Sequence, residues 1–540
     1  MSAETITRAA DDRLAQAPDI RKTLADWREH AAGRLADLDA PGRVREVGRI
    51  RHVADGVATV AGLGKARYNE LLRFPTGVTG LVFNLDADRI GCVLLGDDEP
   101  LSAGDTVEAT GRVVSVPVGE ALLGRVVNAL GEPVDGEGPI RTDERLEVEQ
   151  EAPAILERAA VRDQVVTGIK AIDALVPIGR GQRELIVGDR ATGKTALAVD
   201  AIVSQRHSEM ISIYVAIGQK AASVKAVSRD LLQHGAPERT LIVAADADDP
   251  PGLQYLAPYA ATAMGEHFMR QGRDVLVVYD DLTRHARAYR EVSLLLRRPP
   301  GREAYPGDIF FVHSRLLERA TRLCEDAGGG TLTALPIVET QAKNMAAYIP
   351  TNLISITDGQ ILLDPDLFAK GIKPAIDVGR SVSRVGGKTQ LPSIRSVAKE
   401  LRLQYARFEE LELFTRFGAT VEQETRKQIE RGRRIRELLK QLRLQPLSAL
   451  EETAVLLSVD QGQIDDVPTD AVSRFAGKIR DAVRRDLDDL ADAVESGEEL
   501  DEDAWDRLRD RVSECAAAWA SGAGGADATG PAAGPPDGDD

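Results

Sequence analysis

The sequence predicts a multidomain α/β protein. It should carry an amino-terminal β-barrel, a central P-loop nucleotide-binding domain with a mostly parallel sheet, and a carboxy-terminal α-helical domain. Three observations lead there. Short β-type runs separated by turn signals fill the stretch from Gly48 to Gly111. A phosphate-loop motif at 188–195 is followed by alternating strand and helix patterns. From about residue 396 the texture is helical, rich in Leu, Arg, Glu and Ala. The expected divisions are 1–43 leader and helix, 44–112 barrel, 113–395 nucleotide-binding domain, 396–520 helical domain and 521–540 tail.

In the leader, Ile20, Leu24, Trp27, Ala31 and Leu35 share one face at helical spacing. An isolated helix with such a stripe must dock, either on its own domain or on a partner subunit. Barrel strands are expected at Val57–Val60, Gly80–Phe83 and Ile90–Leu95, with turns at Asp55-Gly56, Pro75-Thr-Gly77 and Asp97-Asp98. Segments 117–127 and 131–136 lead into the nucleotide domain. Beyond the loop, strands at 211–216 and 241–244 alternate with helices at 220–233 and 253–270, which implies parallel βαβ units covered on both faces. The helical domain should break near Asp465-Asp-Val-Pro468. The tail from Ser521, of Gly, Ala, Pro and Asp, cannot bury a core and should be disordered.

The organising motif is Gly188-Asp189-Arg190-Ala191-Thr192-Gly193-Lys194-Thr195, a match to G-x-x-x-x-G-K-[ST]. Leu185–Val187 before it reads as a strand and Ala196–Val203 after it as a helix. Between those flanks, backbone N–H groups and the helix dipole point at phosphate oxygens. Lys194 would reach the terminal phosphates, and the Thr195 hydroxyl would ligate Mg²⁺. Downstream, the apolar run Val275–Tyr279 closes on Asp280, a carboxylate placed to hold Mg²⁺ through water opposite Thr195. Its plainer reading is an acidic turn after a buried strand.

Bulk properties narrow the function classes. The chain has 540 residues and a net charge of −18, which argues against a nucleic-acid groove as its main surface. Cys92, Cys324 and Cys515 have neither metal spacing nor disulfide parity, which suggests a reducing compartment. No apolar run approaches the ~18 residues of a membrane span. A soluble, cytoplasmic chain is expected, attached to a membrane complex through partners.

Several stretches resemble one family, the alpha subunits of F-type ATP synthases. They are Ala171–Ile186, the phosphate loop, Ser293–Gly307, Tyr348–Asn352, Ile354–Gln360 and Ser381–Gly386. The resemblance runs from about residue 20 to about 480. It implies a β-barrel, a RecA-like nucleotide domain and a helical domain, with ATP or ADP and Mg²⁺ as ligands. It also implies alternation with three beta subunits around a rotating gamma stalk, and a peripheral stalk met by the amino-terminal helix. The assembly would work on the cytoplasmic face of a bacterial plasma membrane and move protons or sodium.

Gln219 stands where the resembling catalytic beta subunits place Glu to polarise the attacking water. A carboxylate can accept a proton and an amide cannot, so the site should bind Mg-ATP and scarcely turn it over. A surface Gln capping the following helix is the plainer alternative. By the same resemblance Arg384 is the arginine inserted into the catalytic site of beta, where a guanidinium stabilises developing charge. A structural ion pair is its alternative. Ser381, grouped with it at the catalytic site, and Ser383 would shape its loop.

The sequence departs from the family at Ala191 (usually Gln), Lys373 before Pro374 (usually Arg) and Ala221-Ala222 (usually Arg-Ser). Gln441 matches the first of two adenine-contacting glutamines, and Arg443 replaces the second. With the acidic tail, these changes suggest the divergent second-copy branch found in some bacteria. Three rivals are a catalytic homohexamer of the secretion or export type, a Rho-type helicase, and a regulatory subunit without catalytic contribution. The first needs a carboxylate at 219, the second a basic or aromatic face, and the third leaves Arg384 unused.

Overall fold

The computed structural model describes residues 46–234, 237–415 and 422–522. The expected amino-terminal helix and the tail beyond Gly522 lie outside them.

Six antiparallel strands close a barrel: β1 (Val47–Ala54), β2 (Val57–Ala61), β3 (Glu70–Arg73), β4 (Thr79–Leu85), β5 (Ile90–Leu94) and β6 (Thr106–Val113), in the order β1-β2-β5-β4-β3-β6. Alternation in these strands sends Ile50, Val60, Leu72, Val82, Cys92 and Val107 inward to one core. Pattern reading finds β2, β4 and β5 within a residue or two. β1, β3 and β6 are not among the runs it names, and their charged outward residues dilute the apolar signal.

The central sheet has eight strands: β7 (Val126–Val127), β8 (Glu184–Asp189), β9 (Ile211–Gln219), β10 (Thr240–Asp246), β11 (Asp274–Asp280), β12 (Thr331–Thr340), β13 (Gly359–Leu363) and β14 (Val382–Ser383). Their spatial order is β14-β13-β8-β12-β11-β9-β10-β7. All neighbours are parallel except β13 and β14. The runs in β9 and β11 are almost continuously apolar because helices cover both faces. On one face, the helix Pro251–Arg270 and the barrel residues Leu81 and Phe83 join a shared core. On the other, the helix Lys194–Ser204 shares a core with the carboxy-terminal helices. The three regions therefore pack as neighbours through continuous apolar interiors.

The helical domain comprises Leu401–Thr415, Gln423–Leu439, Ala449–Asp460, Val472–Asp486 and Glu502–Ala520. Ala449–Asp460 is buried on every side through Val459, with a Ser448/Glu451 capping box at its start. The expected break is a pair of 3₁₀ turns, Gln463–Asp466 and Thr469–Ala471. Gly432 lets Gln423–Leu439 press against Leu401–Thr415, because a β-carbon there would lie 2.1 Å from the Phe408 ring. Gly432→Ala should therefore cost about 1–3 kcal/mol through overpacking. Thermal melting of the variant checks this, and an unchanged midpoint would show that Phe408 yields freely.

Candidate functional site

The phosphate loop joins β8 to the helix Lys194–Ser204, in the strand–loop–helix order its motif requires. Gly193 adopts φ +96 at the helix start, a conformation that favours glycine. Ala191–Thr195 line a cavity of about 590 Å³ together with Asp280, Glu339, Phe368, Lys373 and Gln441–Arg443. Gly188, Asp189 and Arg190 are not part of its lining. The Asp189 carboxylate is drawn away to the Thr340 hydroxyl (2.6 Å) and the Lys343 amide (3.0 Å), and Arg190 is exposed.

Lys194 is buried, and its ammonium donates to the carbonyls of Gly188 (3.1 Å) and Asp189 (2.7 Å). Burial pulls its pKa below the ordinary lysine value, against the opposing charges of Glu339, Asp281, Asp280 and Asp189. A phosphate would restore the charge balance that the loop carbonyls only partly supply. Thr195 Oγ1 donates to Asp280 Oδ2 at 2.6 Å, and the Tyr214 hydroxyl donates to the same oxygen at 2.8 Å. Thr195 and Asp280 thus meet as the motifs predict. Beside it, burial and the Asp280 charge push Asp281 up to about 7. Among the described residues no cluster of three or more His, Cys, Asp or Glu could hold a metal by itself. The hard hydroxyl and carboxylate oxygens fit Mg²⁺, which keeps waters and shares phosphate ligands.

Gln219 ends β9 behind this site. Its Nε2 donates to the Asp280 carbonyl at 2.9 Å and lies 3.4 Å from the Tyr214 hydroxyl. The following helix, Ala221–Gln233, begins after Lys220 with no side-chain cap, so Gln219 is not the helix cap that was its alternative. Gln219 does not line the cavity either.

The far end of the cavity joins two domains. Lys373 holds its ammonium 4.6 Å from the centre of the Phe368 ring. Gln441 Oε1 accepts from the Lys170 amide (3.3 Å), while its Nε2 donates to the carbonyls of Gly168 (2.6 Å) and Gln445 (3.0 Å). Lys170 Nζ donates to the Lys440 carbonyl at 3.1 Å. Arg443 reaches Asp230 at 2.5 Å.

Arg384 is placed elsewhere. It directly follows β14, where Ser383 pairs with Gly359 at the start of β13. The cavity meets β13 at the opposite end, at Leu363, about 13 Å away at the usual rise per residue. Arg384 is exposed and forms no ion pair among the described residues, and its Nη2 lies 3.5 Å from the Ile354 carbonyl. The ion-pair alternative therefore does not describe it. Ser381, grouped with it as a catalytic residue, is wholly buried. Its hydroxyl accepts from the Leu362 amide (3.0 Å) and donates to the Asp377 carbonyl (2.6 Å). Ser381 thus splints the loop that carries Arg384 to β13.

Sequence reading missed Glu339 and Tyr214. Glu339 pairs in register with Gly188, which places a second acidic strand end beside the loop. The acid closing the run Leu335–Val338 was its available signal. Tyr214 sits in the interior of an apolar strand and gave none.

A phosphate loop between a parallel strand and a helix, facing an acidic strand end, defines a P-loop nucleotide-binding protein. Family models identify the rest. The nucleotide-binding domain of the ATP synthase alpha/beta family matches residues 168–383, its beta-barrel domain 43–111 and its C-terminal domain 390–515. The chain belongs to the ATP synthase alpha/beta family. It is 54% identical to ATP synthase subunit alpha 2 of Syntrophotalea carbinolica, over 92% of this chain and 94% of the relative. It is 56% identical to subunit alpha 1 of Marinomonas sp., over 85% and 90%, and 55% identical to subunit alpha 2 of Syntrophus aciditrophicus, over 86% and 90%. The expected alpha-subunit resemblance, second copies included, is borne out. No helix among the described residues is long and apolar enough to cross a membrane.

Proposed function

We propose that the chain is the nucleotide-binding, non-catalytic alpha subunit of a rotary F-type ATP synthase. It would alternate with beta subunits in a 3:3 ring around the gamma stalk and meet the peripheral stalk through its amino-terminal helix. The assembly would sit on the cytoplasmic face of a bacterial plasma membrane and couple ATP turnover to proton or sodium movement. The observation that supports this best is the separation of the two charged devices. Lys194 faces the chain's own cavity, while Arg384 stands exposed at the opposite end of β13.

In this reading the loop amides and Lys194 hold the phosphates of ATP or ADP. Thr195 and Asp280 hold Mg²⁺, which neutralises phosphate charge when bound. Gln219 keeps a proton acceptor out of reach of the terminal phosphate, since its amide is tied to the Asp280 carbonyl. Arg384 reaches outward to a nucleotide held by a neighbouring beta subunit.

Two measurements test the chain's own site. Lys194→Ala should weaken Mg-ATP binding by two orders of magnitude or more, about 3 kcal/mol for a lost buried charge-assisted contact. Unchanged affinity in calorimetric titration would remove the site. The isolated chain should also turn over ATP far below ~1 s⁻¹, the low end of ordinary enzyme rates. A purified chain that exceeds it would restore the catalytic homohexamer.

A further inference from the structure

Arg384 stands on a base built by Gln182, Arg183 and Glu184, the residues that lead into β8. Gln182 is wholly buried, and its Nε2 donates to Ser383 Oγ (3.1 Å) and to Glu184 Oε2 (2.7 Å). Arg183 grips the Asp358 carboxylate at 2.9 and 2.7 Å, and the Asp358 carbonyl accepts from the Arg384 amide at 2.8 Å. Glu184 is wholly buried too, in register with Gly359, which is itself in register with Ser383. Register neighbours share one face of a sheet, so the missing side chain of Gly359 makes room for the carboxyl. A β-carbon on Gly359 would lie 2.2 Å from the Val382 carbonyl oxygen and 2.4 and 2.8 Å from the two Glu184 oxygens. The three oxygens therefore share one gap beside β14. Glu184 Oε1 has no hydrogen-bond partner among the described residues. As a carboxylate oxygen it would be a buried acceptor left unpaired, which native interiors avoid.

We propose that Glu184 is a positioning residue for Arg384, a neutral acid that braces β14 and leaves the guanidinium free for its partner. The proton sits on Oε1 and donates toward the Val382 carbonyl, which shares the gap. Oε2 stays the acceptor for Gln182, so both arms of the carboxyl hold the strand that ends before Arg384. Burial, and after it the charge of Asp358, pushes the Glu184 pKa well above the ordinary glutamate value; Gln182 and Arg384 oppose the shift. Neutrality matters for the finger. An ionised Glu184 would set a buried negative charge behind the guanidinium and compete with phosphate for it. The neutral acid exerts no such pull.

The inference rests on Arg384 acting across the subunit interface, and a mutant cycle keeps the two claims apart. ATP turnover is measured for the reconstituted alpha–beta complex, and Mg-ATP affinity for the free chain. Glu184→Leu removes both hydrogen-bonding arms at similar volume. It should lower kcat on the order of 10²-fold, the loss that a small misplacement brings. KM and the affinity of the free chain should hold, since Glu184 lies at the end of β8 away from the phosphate loop. Glu184→Gln offers the same acceptor and donor without a titrating proton, and should restore most of that rate. As pH rises, the native complex should lose rate relative to Glu184→Gln, because glutamine does not ionise. In an Arg384→Ala background, Glu184→Leu should cost nothing more, as expected of two residues acting as one unit. A loss that persists in that background, or a Glu184→Gln no better than Glu184→Leu, would overturn the positioning role while Arg384→Ala still suppresses turnover. If Arg384→Ala itself runs near the native rate, the trans reading falls and this inference with it. Should Glu184→Leu fail to assemble, the pH comparison decides alone: parallel profiles for the native complex and Glu184→Gln refute the neutral acid.

Discussion

Replacing Arg384 with alanine should lower ATP turnover of the assembled alpha–beta complex by about 10³-fold or more, the range found when arginine fingers are removed from other triphosphatases. The isolated chain should keep its affinity for Mg-nucleotide, because Arg384 lies at the opposite end of β13 from the cavity. Arg384→Lys should recover little, since an ammonium keeps the charge but loses the planar fork. Turnover of the reconstituted complex and nucleotide affinity of the free chain must be read together. A complex that works near the unmodified rate, or a free chain that loses its nucleotide, would show that Arg384 does not act in trans.

The second large effect is on stability. Arg319 and Glu266 form a two-pronged ion pair, both contacts at 2.7 Å, with the side chains 1% and 0% exposed. A third bond from Arg319 to the Val148 carbonyl, at 2.8 Å, ties the segment between the barrel and the phosphate loop to the same pair. Glu266→Gln leaves a buried guanidinium without its counter-charge, at a cost of about 3–5 kcal/mol. Replacing both residues with methionine should recover much of that loss, because the penalty lies in the unpaired charge. The midpoint of urea unfolding reads the difference. An unmoved midpoint in Glu266→Gln would mean that water already screens the pair.

What the sequence made legible follows from how local the determinants are. The loop, its strand and its helix are contiguous, so motif and flanks sufficed. Asp280 was legible because an apolar run ends on it. Glu339 ends a run in the same way, but only the register with Gly188 brings it to the loop, and register is a long-range property. The orientation of Gln219 depends likewise on β11 lying beside β9. Glu266 and Arg319 are 53 residues apart with nothing in their neighbourhoods to pair them. The burial of Ser381 was not legible, because a motif position carries no information on packing. Arg443 was legible as a departure, while its partner Asp230 was not, since packing of the helical domain against Ala221–Gln233 creates the contact.

The carboxamide of Gln441 has a mechanical consequence. Through Gly168 and Lys170 it rivets the loop after Lys440 to the nucleotide domain, at the spot where the cavity takes one wall from each side. Any torque that prises the helical domain away must also open that cavity, and a ligand seated there resists the opening. At a hundred times its dissociation constant, a nucleotide would stiffen this joint against rupture by about 2.7 kcal/mol. A bound nucleotide would then act as a removable pin, reinforcing the apolar core that already joins the two domains.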